Sequence, residues 1–94
     1  MKILLADDEK LIAVTLGDAL LNAGHEVTVV HDGKEALDAV GSSNFDVVIT
    51  DIRMPGTDGL ELLRYLNDRR PSLPVIVMTA HPDLKDALSA YRPV

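Results

Sequence analysis

Residues Ile49–Gly59 read ITDIRMPGTDG. The apolar run that begins upstream at Val47 ends on a carboxylate at Asp51, and a turn carrying Pro55, Gly56 and Gly59 follows at once. A short β-branched run bounded by turn signals is the pattern of a buried strand. A carboxylate at its end is out of place unless that end faces solvent or a ligand.

Working outward from this stretch, three similar runs recur at Ile3–Ala6, Val27–Val30 and Val75–Met78, joining Val47–Thr50 as four candidate buried strands. Helical patterns separate them. The first begins near Lys10, carries Ile12, Leu16, Ala19, Leu20 and Ala23 on one face, and stops at Gly24, a good helix end. Gly33–Val40 follows the Asp32-Gly33 turn, and Gly59–Arg69 sets Leu62, Leu63 and Leu66 on its inner stripe before Pro71 closes it. Asp83–Tyr91 is a fourth helical pattern, cut short by Pro93. The order βαβαβαβα predicts an α/β domain, a doubly wound parallel sheet with helices on both faces and right-handed crossovers.

Composition narrows the function. The 94 residues suffice for one domain, residues 1–94, and 47 % hydrophobic with 26 % charged residues is the balance of a globular chain. No apolar stretch approaches the roughly 18–20 residues of a membrane span, and the start MKILLADDEK turns acidic too early for a signal peptide, so a cytoplasmic protein is expected. With no cysteine there is neither a disulfide framework nor a thiolate zinc site. Fifteen acidic against nine basic residues give a net charge of −6, and the only basic concentration is RYLNDRR at Arg64–Arg70. Direct nucleic-acid binding is disfavoured, and a cation or a basic partner fits better.

In open parallel α/β sheets ligands bind outside the carboxyl ends of the strands. Asp7 and Asp8 follow the first strand, Asp51 the third, and Thr79 the fourth. If the second strand lies outside the first, strands one and three become neighbours and the three acids converge. Three anions in one shallow pocket repel each other and raise each other's pKa, so the arrangement makes sense mainly around a divalent cation. An all-oxygen set with a backbone carbonyl added suits Mg²⁺.

LLADDEK, VVITDIRMPGTDGLELL and PVIVMTAH together resemble the acid pair, phosphoacceptor loop and switch threonine of the response-regulator receiver domain, in order and at ordinary spacing along the whole chain. DIRMPGTDG with MTAHPDLKDALSAY is most similar to receivers of the nitrogen-regulation type of transcriptional activator. The resemblance implies a flavodoxin-like sheet of order 2-1-3-4 and a two-component phosphorelay role in which a histidine kinase phosphorylates Asp51. It implies that Asp8 binds Mg²⁺ directly and Asp7 through water, that the backbone carbonyl of Arg53 completes the protein ligands, and that Thr79 hydrogen-bonds the phosphoryl group beside the small Ala80. Such a domain is a phosphoacceptor that assists its own phosphorylation, not an enzyme.

Each residue has a blander reading alone. Asp7 and Asp8 could cap the helix near Lys10, Asp51 could form a turn, and Thr79 could be a satisfied strand-end hydroxyl. Jointly they make a site. Asp32 and Asp58 read as turn residues, and His25, His31 and His81 lack ligand spacing. A haloacid-dehalogenase-type phosphatase would want an acid where Arg53 stands, and neither GxGxxG nor GxxxxGK[ST] occurs.

Receivers continue into a fifth strand and helix bearing an aromatic switch residue and a conjugate lysine, which this sequence does not match. It therefore reads as a truncated receiver of (βα)4 form, and the alternative function is an interaction module that folds or dimerises without switching. The fourth strand would be a bare edge, and a homodimer through that edge or the adjoining sheet face is expected.

Overall fold

A computed structural model of the chain describes residues 1–54 and 56–78. Four strands and three helices alternate: β1 (Lys2–Ala6), α1 (Lys10–Asn22), β2 (Glu26–Val30), α2 (Gly33–Ser42), β3 (Val47–Asp51), α3 (Gly59–Arg69) and β4 (Val75–Met78). The expected fourth helix, Asp83–Tyr91, lies outside the described residues, as do Pro55 and Thr79.

The strands form one sheet of order β2-β1-β3-β4, every pair parallel. Ile3 stands beside Val27 on one side and Val47 on the other, and Ile49 beside Ile76. This is the order the sequence implies, with the second strand outside the first.

Side chains alternate across the sheet as the pleat requires. Leu4, Ala6 and Val48 face a core with Ala36 and Val40 of α2, Leu62 and Leu66 of α3, and Met54. On the opposite face Leu5 and Val29 meet α1 at Gly17, where an added Cβ would lie 3.4 Å from Val29 and 3.9 Å from Leu5. Such burial is worth about 1.5–3 kcal/mol for each large side chain removed from water.

The inward stripe of α1 differs from the one its large residues predict. Ala13 and Gly17 are buried and Leu16 and Leu20 partly so, whereas Ile12, Ala19 and Ala23 are exposed. Small residues win the inner positions because the helix lies close against β1 and β2, which leaves Leu11, Ile12, Val14 and Leu21 on the outside. Likewise β2 is not a buried strand: only Val30 is buried, and among the described residues β2 has a neighbour on one side only. Among the described residues β4 pairs with β3 alone, and Ile76 is 53 % exposed.

Local chemistry fixes the helix ends. Gly24 follows α1 at φ 93° and Gly56 turns the β3–α3 loop at φ 75°, both left-handed positions that favour glycine. Asp32 and Asp58, read as turn residues, are the N-caps of α2 and α3, accepting from the amides of Glu35 at 2.8 Å and Glu61 at 2.9 Å. Glu35 reaches back to the amide of His31, a variant of the capping box. Asp32→Ala should cost about 1 kcal/mol, which for a domain of this size lowers the melting temperature by roughly 4–8 °C. Thermal unfolding followed by circular dichroism checks it, and an unchanged midpoint would show that other contacts hold the start of α2.

Candidate functional site

β1 and β3 run side by side through Ala6 and Thr50, so the residues that follow emerge together at the carboxyl edge of the sheet. Asp7 leaves β1 there and Asp51 ends β3. One carboxylate oxygen from each of Asp7, Asp8 and Asp51 lies within 4.8 Å of the others. Asp7 is buried at 2 % exposure, Asp51 is half-buried and Asp8 is exposed, so the cluster grades from the sheet outward to solvent.

Backbone groups hold these side chains. Asp7 Oδ1 accepts from the amide of Glu9 at 2.9 Å, a turn bond ahead of the helix; the N-cap of α1 is Glu9 and no side chain caps it, so neither Asp7 nor Asp8 serves as the cap. Asp51 Oδ1 accepts from the amide of Ile52 at 2.8 Å, and that same N–H also reaches the carbonyl of Met78 at 3.1 Å. Beneath the carboxylate, Thr50 Oγ1 donates to the Asp51 carbonyl at 2.9 Å and approaches Met54 Sδ at 3.9 Å. Gly59 brings the start of α3 onto this backbone: its amide donates to the Ile52 carbonyl at 2.9 Å, and a Cβ there would overlap the carbonyl oxygen of Asp51.

Electrostatics at Asp51 follow from this crowding. Burial, then the charge of Asp7 and, more weakly, that of Asp8, push its carboxyl above the ordinary 3.8, while hydrogen bonds from the amides of Ile52 and Arg53 pull it down. The upward push wins. Beside Asp8 an open pocket of about 420 Å³ is lined by Ile52, Arg53, Met54, Asp58 and Leu60. The three convergent carboxylates form an all-oxygen donor set, with Asp51 pushed up by burial and by the charges of Asp7 and Asp8, and a hard divalent cation such as Mg²⁺ fits it.

The structure thus brings together Asp7, Asp8 and Asp51 and sets Arg53 beside them, while Thr79 lies outside the described residues. It also brings His31 to the site, its Nδ1 3.1 Å from the backbone carbonyl of Asp7. Sequence spacing missed that histidine because its contact is with main chain, and no ligand pattern marks such a bond.

Fold and cluster together define a flavodoxin-like parallel α/β domain with an acidic pocket at the carboxyl edge. Over residues 3–93 the chain matches the response regulator receiver domain family. It is 49 % identical over 88 residues to the DNA-binding transcriptional regulator NtrC of Klebsiella pneumoniae, covering 94 % of this chain and 19 % of that protein. With the response regulator protein FleR of Pseudomonas aeruginosa it shares 40 % identity over 91 residues, 97 % of this chain and 19 % of that one. The solution structure of the apo receiver domain of nitrogen regulatory protein C matches with a TM-score of 0.82 and 48 % identity, over 95 % of this chain and 72 % of that chain. The BeF3-activated form of that domain matches over the same shares at 0.78. The chain belongs to the response regulator receiver domain family, the signal-receiving modules of two-component systems. It spans about a fifth of the length of these curated relatives.

Proposed function

We propose that residues 1–94 act as the phosphoacceptor domain of a two-component relay, taking a phosphoryl group from a histidine kinase onto Asp51 to control a transcriptional output. The observation that carries this reading is the convergence of Asp7, Asp8 and Asp51 at the end of the two central strands, with the carboxyl of Asp51 raised by burial and by its acidic neighbours.

In the reaction a carboxylate oxygen of Asp51 attacks phosphorus in line, an O–P bond forms as the P–N bond of the phosphohistidine breaks, and the imidazole leaves with the electron pair and takes up a proton. The amides of Ile52 and Arg53 fix the aim of the carboxylate. Asp7, Asp8, Asp51 and the Arg53 backbone carbonyl are the residues that would hold Mg²⁺. When bound, the ion neutralises charge on the transferring oxygens. Thr79 follows Met78 in the sequence and is assigned the hydrogen bond to the phosphoryl group, with Ala80 leaving it room. The relay would be cytoplasmic and would make no direct contact with nucleic acid, in keeping with the acidic balance and the absence of a membrane-spanning helix among the described residues.

Incubation with a small phosphodonor and Mg²⁺, followed by mass spectrometry, tests the reading: an acid-labile phosphate on Asp51 is expected. Phosphate located elsewhere, or none with ample donor, would leave the interaction module as the better account. Calorimetry adds a second check. Asp8→Asn should remove most Mg²⁺ binding, and equal binding by both proteins would refute the ligand assignment.

Self-association of the 94-residue chain belongs to the same reading. The apolar β4 run and the half-exposed Ile76 favour a homodimer along that edge. Analytical ultracentrifugation at micromolar concentration should find it, and a monomer would count against it.

A further inference from the structure

We propose that His31 is a positioning residue for the acid cluster, fixing through its ring the loop that carries Asp7 and Asp8. The inference rests on the reading that these two acids hold Mg²⁺.

The end of β2 grips Asp7 at two backbone points. The amide of Asp7 donates to the carbonyl of Val30 at 3.1 Å, which extends the β1–β2 ladder one step beyond the strands. His31 Nδ1 meets the Asp7 carbonyl at 3.1 Å. A carbonyl can only accept, so Nδ1 carries the proton and donates. Neighbouring residues thereby hold both the N–H and the C=O of the residue that presents the buried carboxylate.

His31 is itself anchored. Its amide donates to Glu35 Oε2 at 3.3 Å, and the next residue, Asp32, caps α2. Gly33 then packs directly on the backbone of Thr57, where a Cβ would overlap the Thr57 carbonyl oxygen. The three residues His31, Asp32 and Gly33 therefore tie the loop after β1 to the loop after β3, the two loops that flank the acids.

The site needs such a brace. Three carboxylates within 4.8 Å of one another repel, and Asp8 is exposed on the short connection between β1 and α1. Holding the Asp7 main chain from the β2 side keeps the acid pair turned toward Asp51. Partners that orient ligand residues in this way commonly change metal affinity by about 10–100-fold when removed.

The test compares Mg²⁺ alone binding to the wild-type chain, His31→Leu, His31→Asn and Asp8→Asn by calorimetry, with the Asp7 carbonyl carbon shift read by NMR. Asparagine places an amide nitrogen at the position of Nδ1, whereas leucine fills similar space without a donor. About tenfold weaker Mg²⁺ binding is expected for His31→Leu, with a displaced Asp7 carbonyl shift, and near-wild-type behaviour for His31→Asn. Equal affinity in the leucine variant beside a wild type that binds and an Asp8→Asn that does not overturns the positioning role alone. Equal loss in both His31 variants assigns the residue to packing and also overturns it. No Mg²⁺ binding by the wild type overturns the proposed function and this inference together.

Discussion

Asp51→Asn should abolish phosphoryl uptake and yet yield a more heat-stable protein at neutral pH in the absence of metal. The first effect follows from loss of the attacking oxygen. The second follows from linkage: the folded carboxyl titrates above the ordinary value of 3.8, so the folded state binds its proton more tightly than the unfolded state does. Its contribution to stability is fully present below 3.8 and is lost as pH rises through the raised folded value, leaving a net cost at pH 7 from burial and the neighbouring Asp7 charge. Asparagine keeps the shape and drops the charge. The melting temperature should therefore rise at pH 7, with the gain shrinking as both proteins are taken below pH 3.8. Asp8→Asn should act in the same direction but not additively, because both substitutions relieve one cluster. Scanning calorimetry at the two pH values decides it, and a variant less stable than wild type at pH 7 would contradict the electrostatic account.

Gly59→Ala should be severely damaging to the fold beside the site. A Cβ there would overlap the Asp51 carbonyl oxygen and sit 2.6 Å from the Ile52 Cα, and backbone cannot rotate away as a side-chain tip can. A loss of about 3 kcal/mol or more is expected, the upper range for overpacking, against a total stability of about 5–15 kcal/mol. Gly41→Ala supplies the contrast, since nothing lies within 4 Å of its added Cβ in α2. There the change should stabilise by up to about 1 kcal/mol, as alanine is the better helix former. Denaturant unfolding of the pair separates steric overlap from a general intolerance of change, and a mild effect at Gly59 would mean that α3 can slide outward without cost.

These positions show what could be read from the sequence and what could not. Strand runs were legible because four β-branched stretches sit between turn residues, while the order 2-1-3-4 was implied by the resemblance to receiver domains and agrees with the meeting of Asp7, Asp8 and Asp51. The inward face of α1 was not legible: large apolar residues draw the eye, while the buried positions are Ala13 and Gly17, the latter set by the closeness of Leu5 and Val29, a tertiary fact. Asp32 and Asp58 carry the same Asp-Gly signal as a turn, and only the glutamates three residues on, Glu35 and Glu61, distinguish a helix start. His31 binds main chain rather than a partner side chain, so residue spacing contains no trace of it.

The central placement of β1 also bears on how the molecule opens. Leu4, Leu5 and Ala6 are wholly buried, with strands on both sides, whereas among the described residues β2 and β4 each have a single neighbour. Amide hydrogens of β1 and β3 should exchange with solvent only in the rarest openings, and those of β2 and β4 in more frequent, partial ones. Asp7 and Asp51 extend from the two slow strands. Fraying at either margin of the sheet can then come and go many times within the lifetime of the folded state while the acids keep their spacing.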